Sequence, residues 1–281
     1  MFATGTRAIP AVSHSAPARW SAVATIIVLG LMPIVVRAQD TGVPASFSVA
    51  GTASLLSQYR FRGLSRSDNQ PAVQADLSVT HVAGAYAGVT LTSESPGPAV
   101  DMGAGEIDLY AGYSHALGPG GIMLDLGLRG YLHPGYLYRG CTAGNVVEIY
   151  GSLDRQIGPI DLRAGLSYAP PQAHLGHKAG GGARDNIYVF AETRADVPGT
   201  PLHLHAHGGC TGGGLDYTRS YCDYRVGLGA THKALGIDVS LVGTTLSQAD
   251  ARARPQGPVP DPAQTWRVAR SAVVLGLSLQ F

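Results

Sequence analysis

The sequence predicts an all-β chain folded as a single transmembrane antiparallel β-barrel of the outer-membrane type, with twelve strands. Three observations predict it. Apolar and polar residues alternate with period two in segment after segment, the connections between segments alternate in length, and the chain ends on an apolar ladder closed by a phenylalanine. Composition agrees. Charged residues make up 14% of the 281 positions, against roughly 25% in an average soluble domain. Mean hydropathy is +0.09, yet beyond residue 36 no apolar run approaches the ~18 residues that a membrane helix needs. Such a chain must cover its apolar surface through strands. Lys178 and Lys233 are the only lysines, a bias toward arginine that carries no functional weight.

The first 38 residues read as a cleaved export signal. Arg7 and Arg19 supply positive charge, Trp20 to Val36 is uncharged and largely apolar, and Val36-Arg37-Ala38 suits cleavage after Ala38. The barrel domain is then 39–281. Losing Arg7, Arg19 and Arg37 takes the net charge from +1 to −2, and no basic cluster suggests nucleic-acid binding.

From Phe47 to Phe61 the odd positions carry Phe47, Val49, Gly51, Ala53, Leu55, Ser57, Tyr59 and Phe61, whereas the even ones, on to Arg62, carry Ser48, Ala50, Thr52, Ser54, Leu56, Gln58, Arg60 and Arg62. Successive strand side chains point to opposite faces, so one face is greasy and the other wet. Val73, Ala75, Leu77 and Val79 alternate in the same way with Gln74, Asp76, Ser78 and Thr80. Ile107, Leu109, Ala111 and Tyr113 do so with Glu106, Asp108, Tyr110 and Ser114. Residues 122–133 set isoleucine, leucine and glycine against Met123, Asp125, Gly127, Arg129, Tyr131 and His133. Segments 85–93, 146–153, 160–168, 186–195, 201–208, 223–232, 237–245 and 271–281 complete the set, with 186–195 the least regular.

Long connections (63–71, 94–104, 134–145, 169–185, 209–222, 246–269) alternate with short ones (82–84, 116–121, 154–159, 196–200, 233–236). That is the outer-membrane pattern, with short turns periplasmic, long loops extracellular and both termini on the periplasmic side. The short links carry turn chemistry in Gly118-Pro119-Gly120-Gly121, Gly158-Pro159 and Pro198-Gly199. A β-sandwich also alternates, but its polar face is usually charged, and here that face is mixed with Gly, Ala and Ser. Val273, Leu275, Leu277, Leu279 and Phe281 form the terminal ladder, a strand of the kind that barrel-assembly machinery reads. Phe47, Tyr113 and Phe281 are expected at one aromatic girdle, and Tyr59, Phe61 and Tyr168 at the other, against the membrane lipid.

The run Ser57-Gln58-Tyr59-Arg60-Phe61-Arg62-Gly63-Leu64-Ser65-Arg66-Ser67-Asp68, continuing through Asn69-Gln70-Pro71-Ala72-Val73-Gln74 and then Tyr86-Ala87-Gly88-Val89, resembles the N-terminal signature of the TorF-like porins. This proteobacterial family is also catalogued as the conserved hypothetical family Gcw_chp. Weaker likeness continues through Val147–Leu153 and the last strand, whereas the histidine-rich strand at 203–207, Cys141 and the proline-rich connection at 246–269 depart from it. The resemblance implies an outer-membrane barrel with a porin role. It implies no substrate, cofactor or catalytic residue.

Arg60 and Arg62, read on the wet face of the first strand beside Arg66, Asp68 and Asn69, either form a charged constriction or brace the wall by pairing with carboxylates such as Asp76 or Asp108. Other lumen candidates of both signs are Glu106, Asp125, Arg129, Glu148, Arg163 and Arg225, followed by Asp161, Glu192, Arg194, Asp223 and Asp238. His203, His205 and His207 share one strand face near His174 and His177, but no complete metal-ligand set is identifiable. Cys210 and Cys222 flank a glycine-rich connection and are candidates for a disulfide, with Cys141 the odd thiol. Ser114-His115 and His81 make no convergent hydrolytic set. The sequence therefore predicts a non-enzymatic porin passing small hydrophilic solutes, or alternatively a non-conducting structural or adhesion barrel acting through its loops. Oligomeric state is left open.

Overall fold

The structure is a computed structural model that describes residues 46–94, 105–134, 145–176, 181–215, 219–252 and 262–281. The signal segment 1–38, Cys141 and His177 lie outside the described residues. Twelve strands close a barrel in which each pairs with the next along the chain and the last with the first, every neighbour antiparallel. They are β1 (Phe47–Leu56), β4 (Ala72–His81), β5 (Ala85–Ser93), β6 (Gly105–Leu117), β7 (Ile122–Leu132), β8 (Val146–Ile157), β9 (Ile160–Ala169), β10 (Asn186–Asp196), β11 (Leu202–Gly213), β12 (Tyr221–His232), β13 (Leu235–Thr244) and β14 (Ala272–Gln280). At the seam Thr52 faces Gln280, and Gly51 and Phe281 exchange both backbone hydrogen bonds at 2.9 and 3.0 Å. Closure leaves no strand edge in search of a partner, which is the condition for crossing lipid with strands.

The period-two pattern sorts the side chains as expected. Outward residues are large, apolar and uncovered: Leu128 is 54% exposed, Ile237 59% and Leu275 53%. A belt of this kind runs round every strand, far beyond the few hundred Å² of apolar patch that a soluble monomer tolerates, and lipid is the solvent it fits. Inward residues are polar, and Glu106, Glu148, Asn186 and Ser240 are almost completely buried. Glycine shapes this inner wall. A Cβ on Gly88 would lie 2.4 Å from the Tyr110 ring, and one on Gly209 2.1 Å from the Tyr188 hydroxyl. The missing side chains let aromatic rings lie flat on the wall.

Two features differ from the sequence reading. The first strand stops at Leu56 instead of running to Phe61. The Ser57 hydroxyl accepts the Leu275 N–H at 2.9 Å and ends the ladder. The chain then turns into the barrel as a small hairpin, β2 (Arg60–Phe61) and β3 (Leu64–Ser65). Arg62 and Gly63 have φ of +47° and +78°, the paired left-handed conformation of a tight two-residue hairpin. Tyr59 and Phe61 are therefore not girdle aromatics: Tyr59 is buried, and Phe61 packs edge-on against Tyr131 at 5.3 Å. Phe47, Tyr113 and Phe281 do lie exposed on the outside. The second difference is the 246–269 connection, which carries α1 (Gln248–Arg252) and α2 (Pro262–Ala269).

Among the described residues, buried apolar packing inside the barrel forms two small clusters at the long-loop end. Tyr131, Val146, Ala169 and Leu175 receive Phe61, and Tyr221, Leu246 and Ala269 receive Leu64. The hairpin is thus held by one apolar side chain on each flank. Cys210 and Cys222 lie within β11 and β12 as direct cross-strand partners and are joined by a disulfide.

Candidate functional site: the lumen and its inserted hairpin

The hairpin crosses the lumen at the long-loop end and contacts both sides of the wall. Arg62 Nη2 lies 2.7 Å from Glu148 Oε1 on β8, with side chains only 5% and 1% exposed. The Arg62 guanidinium also sits 4.2 Å over the Tyr188 ring of β10, a contact that favours a desolvated cation. Tyr221 of β12 donates to the Arg62 carbonyl at 3.1 Å. Gly63 backs so closely onto β12 and β13 that a Cβ there would meet the Gly243 oxygen and Thr244 Cγ2 at 2.7 Å. Arg60 donates to the carbonyls of Gly63 and Arg270 at 2.7 and 3.0 Å and to Asn69 at 3.1 Å. Burial, with the nearby Arg270 charge, lowers its pKa to about 10, so it stays cationic at neutral pH. Asp68 pairs with Arg267 of α2 at 2.5 Å.

Both arginines singled out in the sequence therefore reach the lumen, but from an inserted hairpin and not from the wall of β1. Their partners differ as well. Arg62 takes Glu148, neither Asp76 nor Asp108. Asp76 instead accepts hydrogen bonds from Thr90 and Tyr110 at 2.8 and 3.0 Å. Asp125 accepts from Tyr86 at 2.5 Å and Ser114 at 3.2 Å. Arg129 lies 5.4 Å over the Tyr110 ring. Arg163 pairs with Asp154 and Glu192, Arg194 with Asp196, and Arg225 with Asp238 at 2.8 Å. Asp161 lines the lumen near the β8–β9 turn.

The three histidines of β11 face inward, each beside an acid or a glycine. His207 sits between Glu192 and Asp223, 3.3 Å from each, and His205 lies 2.5 Å from Asp238. His203 packs over the Gly229 backbone. Ser114 points into the lumen, while His115 stacks on Tyr113 and His81 lies against Phe47 on the outer face.

Two cavities border the hairpin. One, of about 880 Å³, runs from Tyr59, Arg60 and Arg62 to Gly121 and Met123 at the short-turn end. The other, of about 430 Å³, lies on the far side of Phe61 and Arg62, among Tyr86, Asp125, Arg129 and Tyr150. Arg62, Tyr188, Arg163, Glu192 and His207 border both, so the hairpin tip divides the lumen.

At the long-loop ends of β5, β6 and β7, a cluster absent from the sequence reading gathers Glu94, Glu106 and His133. Tyr59 donates to Glu106 Oε1 at 2.8 Å, and burial followed by the charge of Glu106 drives the Tyr59 phenol well above its ordinary range. Burial also raises the Glu94 carboxyl, against the opposing pull of Arg66. Burial by itself would lower Arg66, but Glu94 and Glu106 outweigh it and raise that group. The alternation already sets Glu106 and His133 on the inward face, and carried one step past β5 it also reaches Glu94.

The barrel resembles solved structures of the same architecture. A NanC porin aligns with a TM-score of 0.52 at 8% identity, over 83% of this chain and 99% of that one. An outer membrane channel from Pseudomonas putida F1 aligns with a TM-score of 0.48 at 13% identity, over 85% and 96%. At such identities the likeness concerns the fold alone, which is that of outer-membrane porins. No curated protein matches the sequence. Residues 40–268 match a bacterial family described as "Bacterial protein of unknown function (Gcw_chp)".

Proposed function

The chain belongs to the Gcw_chp family, and from that premise we propose that it is an outer-membrane porin through which small hydrophilic solutes diffuse passively. In this reading the long loops face the cell exterior, both termini face the periplasm, and the inserted hairpin is the constriction. One observation carries it: the cavity of about 880 Å³ that runs from the hairpin down to the short-turn end, with Arg60, Arg62, Arg163, Glu192, Asp223 and Arg225 among the side chains that line it. A barrel serving only as a scaffold gains nothing from a polar, unfilled interior, because every buried charge in it must be compensated. Several fixed charges of this interior are paired arginine to carboxylate, as in Arg163 with Asp154 and Glu192 and Arg225 with Asp238, and the lumen presents polar groups of both signs. Strand β14, ending at an exposed Phe281, is read as the segment presented to the assembly machinery.

The alternative is a non-conducting structural or adhesion barrel, favoured by the firm anchoring of the hairpin through Arg62 and Glu148. Liposome swelling with uncharged sugars of increasing size separates the two. The porin reading predicts uptake of the smallest sugars and a higher size limit when Arg62→Ala loosens the hairpin. No uptake by a folded barrel, with or without that substitution, would support the alternative.

A further inference from the structure

We propose that Glu94, Glu106 and His133 form a binding site for one divalent transition-metal ion of the zinc, cobalt or manganese kind. The three residues arrive on adjacent strands at the long-loop end: Glu94 directly follows β5, Glu106 is the second residue of β6 and His133 directly follows β7. One donor atom from each lies within 4.8 Å of the other two. His133 Nε2 is 3.0 Å from Glu106 Oε2 and 3.6 Å from Glu94 Oε2. Donors at ~2.1 Å from one ion stand about 3.4 Å apart in a tetrahedron and about 3.0 Å apart in an octahedron. The two separations from His133 Nε2, 3.0 and 3.6 Å, already lie close to the edges of a coordination shell.

A second observation points to a ligand. The Glu94 side chain is 0% exposed, and among the described residues neither of its oxygens has a hydrogen-bond partner. A carboxylate withdrawn from water without donors is costly unless a cation holds it. Glu106 is oriented for the same purpose, because Tyr59 occupies its Oε1 and leaves Oε2 turned toward His133. Such outer partners fix ligand orientation in metal sites. One imidazole with two carboxylates suits a borderline or hard divalent ion better than calcium, which takes oxygen alone, or copper(I), which prefers sulfur. The competing account is a cluster balanced by the Arg66 charge and the His133 hydrogen bond, which needs no ion.

The test titrates the metal-stripped, refolded barrel with Zn²⁺ by calorimetry and with Co²⁺ by visible absorption, heat-modifiability confirming the fold. One ion per chain is expected, with loss of at least ~100-fold in affinity in Glu94→Gln and in His133→Asn. Tyr59→Phe is expected to weaken binding by roughly 10–100-fold, as loss of an outer partner does. His203→Asn is expected to leave it unchanged. If Glu94→Gln fails to fold, His133→Asn and the cobalt spectrum of the unaltered barrel still decide, with weak d–d bands of nitrogen and oxygen ligation expected. A folded barrel that binds no ion, binding that survives His133→Asn, or an intense sulfur-to-cobalt band would overturn the proposal. The result is independent of conduction.

Discussion

Arg62 is the residue on which the inserted hairpin turns. Its pair with Glu148 is almost sealed from solvent, and removing one member of such a pair leaves an uncompensated charge at a cost of about 3–5 kcal/mol. Arg62→Met should lower stability by about that amount in urea unfolding of the lipid-embedded barrel. Replacing Glu148 by Met as well should recover most of the loss, since an apolar pair removes the stranded charge. If the single substitution were neutral, the hairpin would not be anchored there. The sequence marked Arg62 as a lumen residue through its place in the alternation. It did not mark Glu148 as its partner, because 86 residues separate them and only barrel closure brings them together. The Glu94 cluster escaped for a related reason: the alternation sets Glu106 and His133 on the inward face, but Glu94 sits just past the end of β5, and only barrel closure sets the three side by side.

At the scale of elements, the ladder strands were legible because period two survives even in β10, the least regular segment, which spans Asn186–Asp196. The β2–β3 hairpin was not. Its two-residue turn preserves the same alternation as a continuing strand, and the positive φ at Arg62 gives no local signal apart from the following Gly63. Gly63→Val should expel the hairpin, since both φ and the crowding against β13 forbid a side chain. Faster proteolysis after Arg60 or Arg62 in the folded barrel would show it, and unchanged protection would contradict it. The Cys210–Cys222 bridge closes a sequence separation of 12, for which chain entropy gives about 3 kcal/mol of stabilisation. Cys210→Ser with Cys222→Ser should cost no more than about that in unfolding free energy. In α1, Ser247 and Asp250 cap the helix reciprocally at 2.8 and 3.1 Å. The Arg219 guanidinium, then the Ser247 groups, hold the Asp250 carboxyl below its ordinary value of 3.8. A carboxyl depressed on folding contributes stability above its unfolded value and loses it as pH falls through the folded one. A spin label at Ala249 should therefore stay immobilised from neutral pH down to about 4 and loosen only below that. Loosening at neutral pH would contradict the cap.

For the whole molecule, the barrel is a lipid-facing apolar belt around an interior that carries charges of both signs, with Arg163 and Arg225 paired to carboxylates of neighbouring strands. Fixed charges of both signs at close range cancel beyond a few ångströms, so the lumen should discriminate only weakly between cations and anions. The constriction should be most sensitive at the hairpin tip, where Arg62 borders both cavities. The measurement that tests this most directly is single-channel recording of the mature barrel in a planar bilayer. Discrete, ohmic conductance steps with weak ion selectivity, shifting toward cations on Arg62→Glu, are the predicted result. A folded, heat-modifiable barrel that gives no steps, in the unaltered chain and in Arg62→Glu alike, would contradict the porin account.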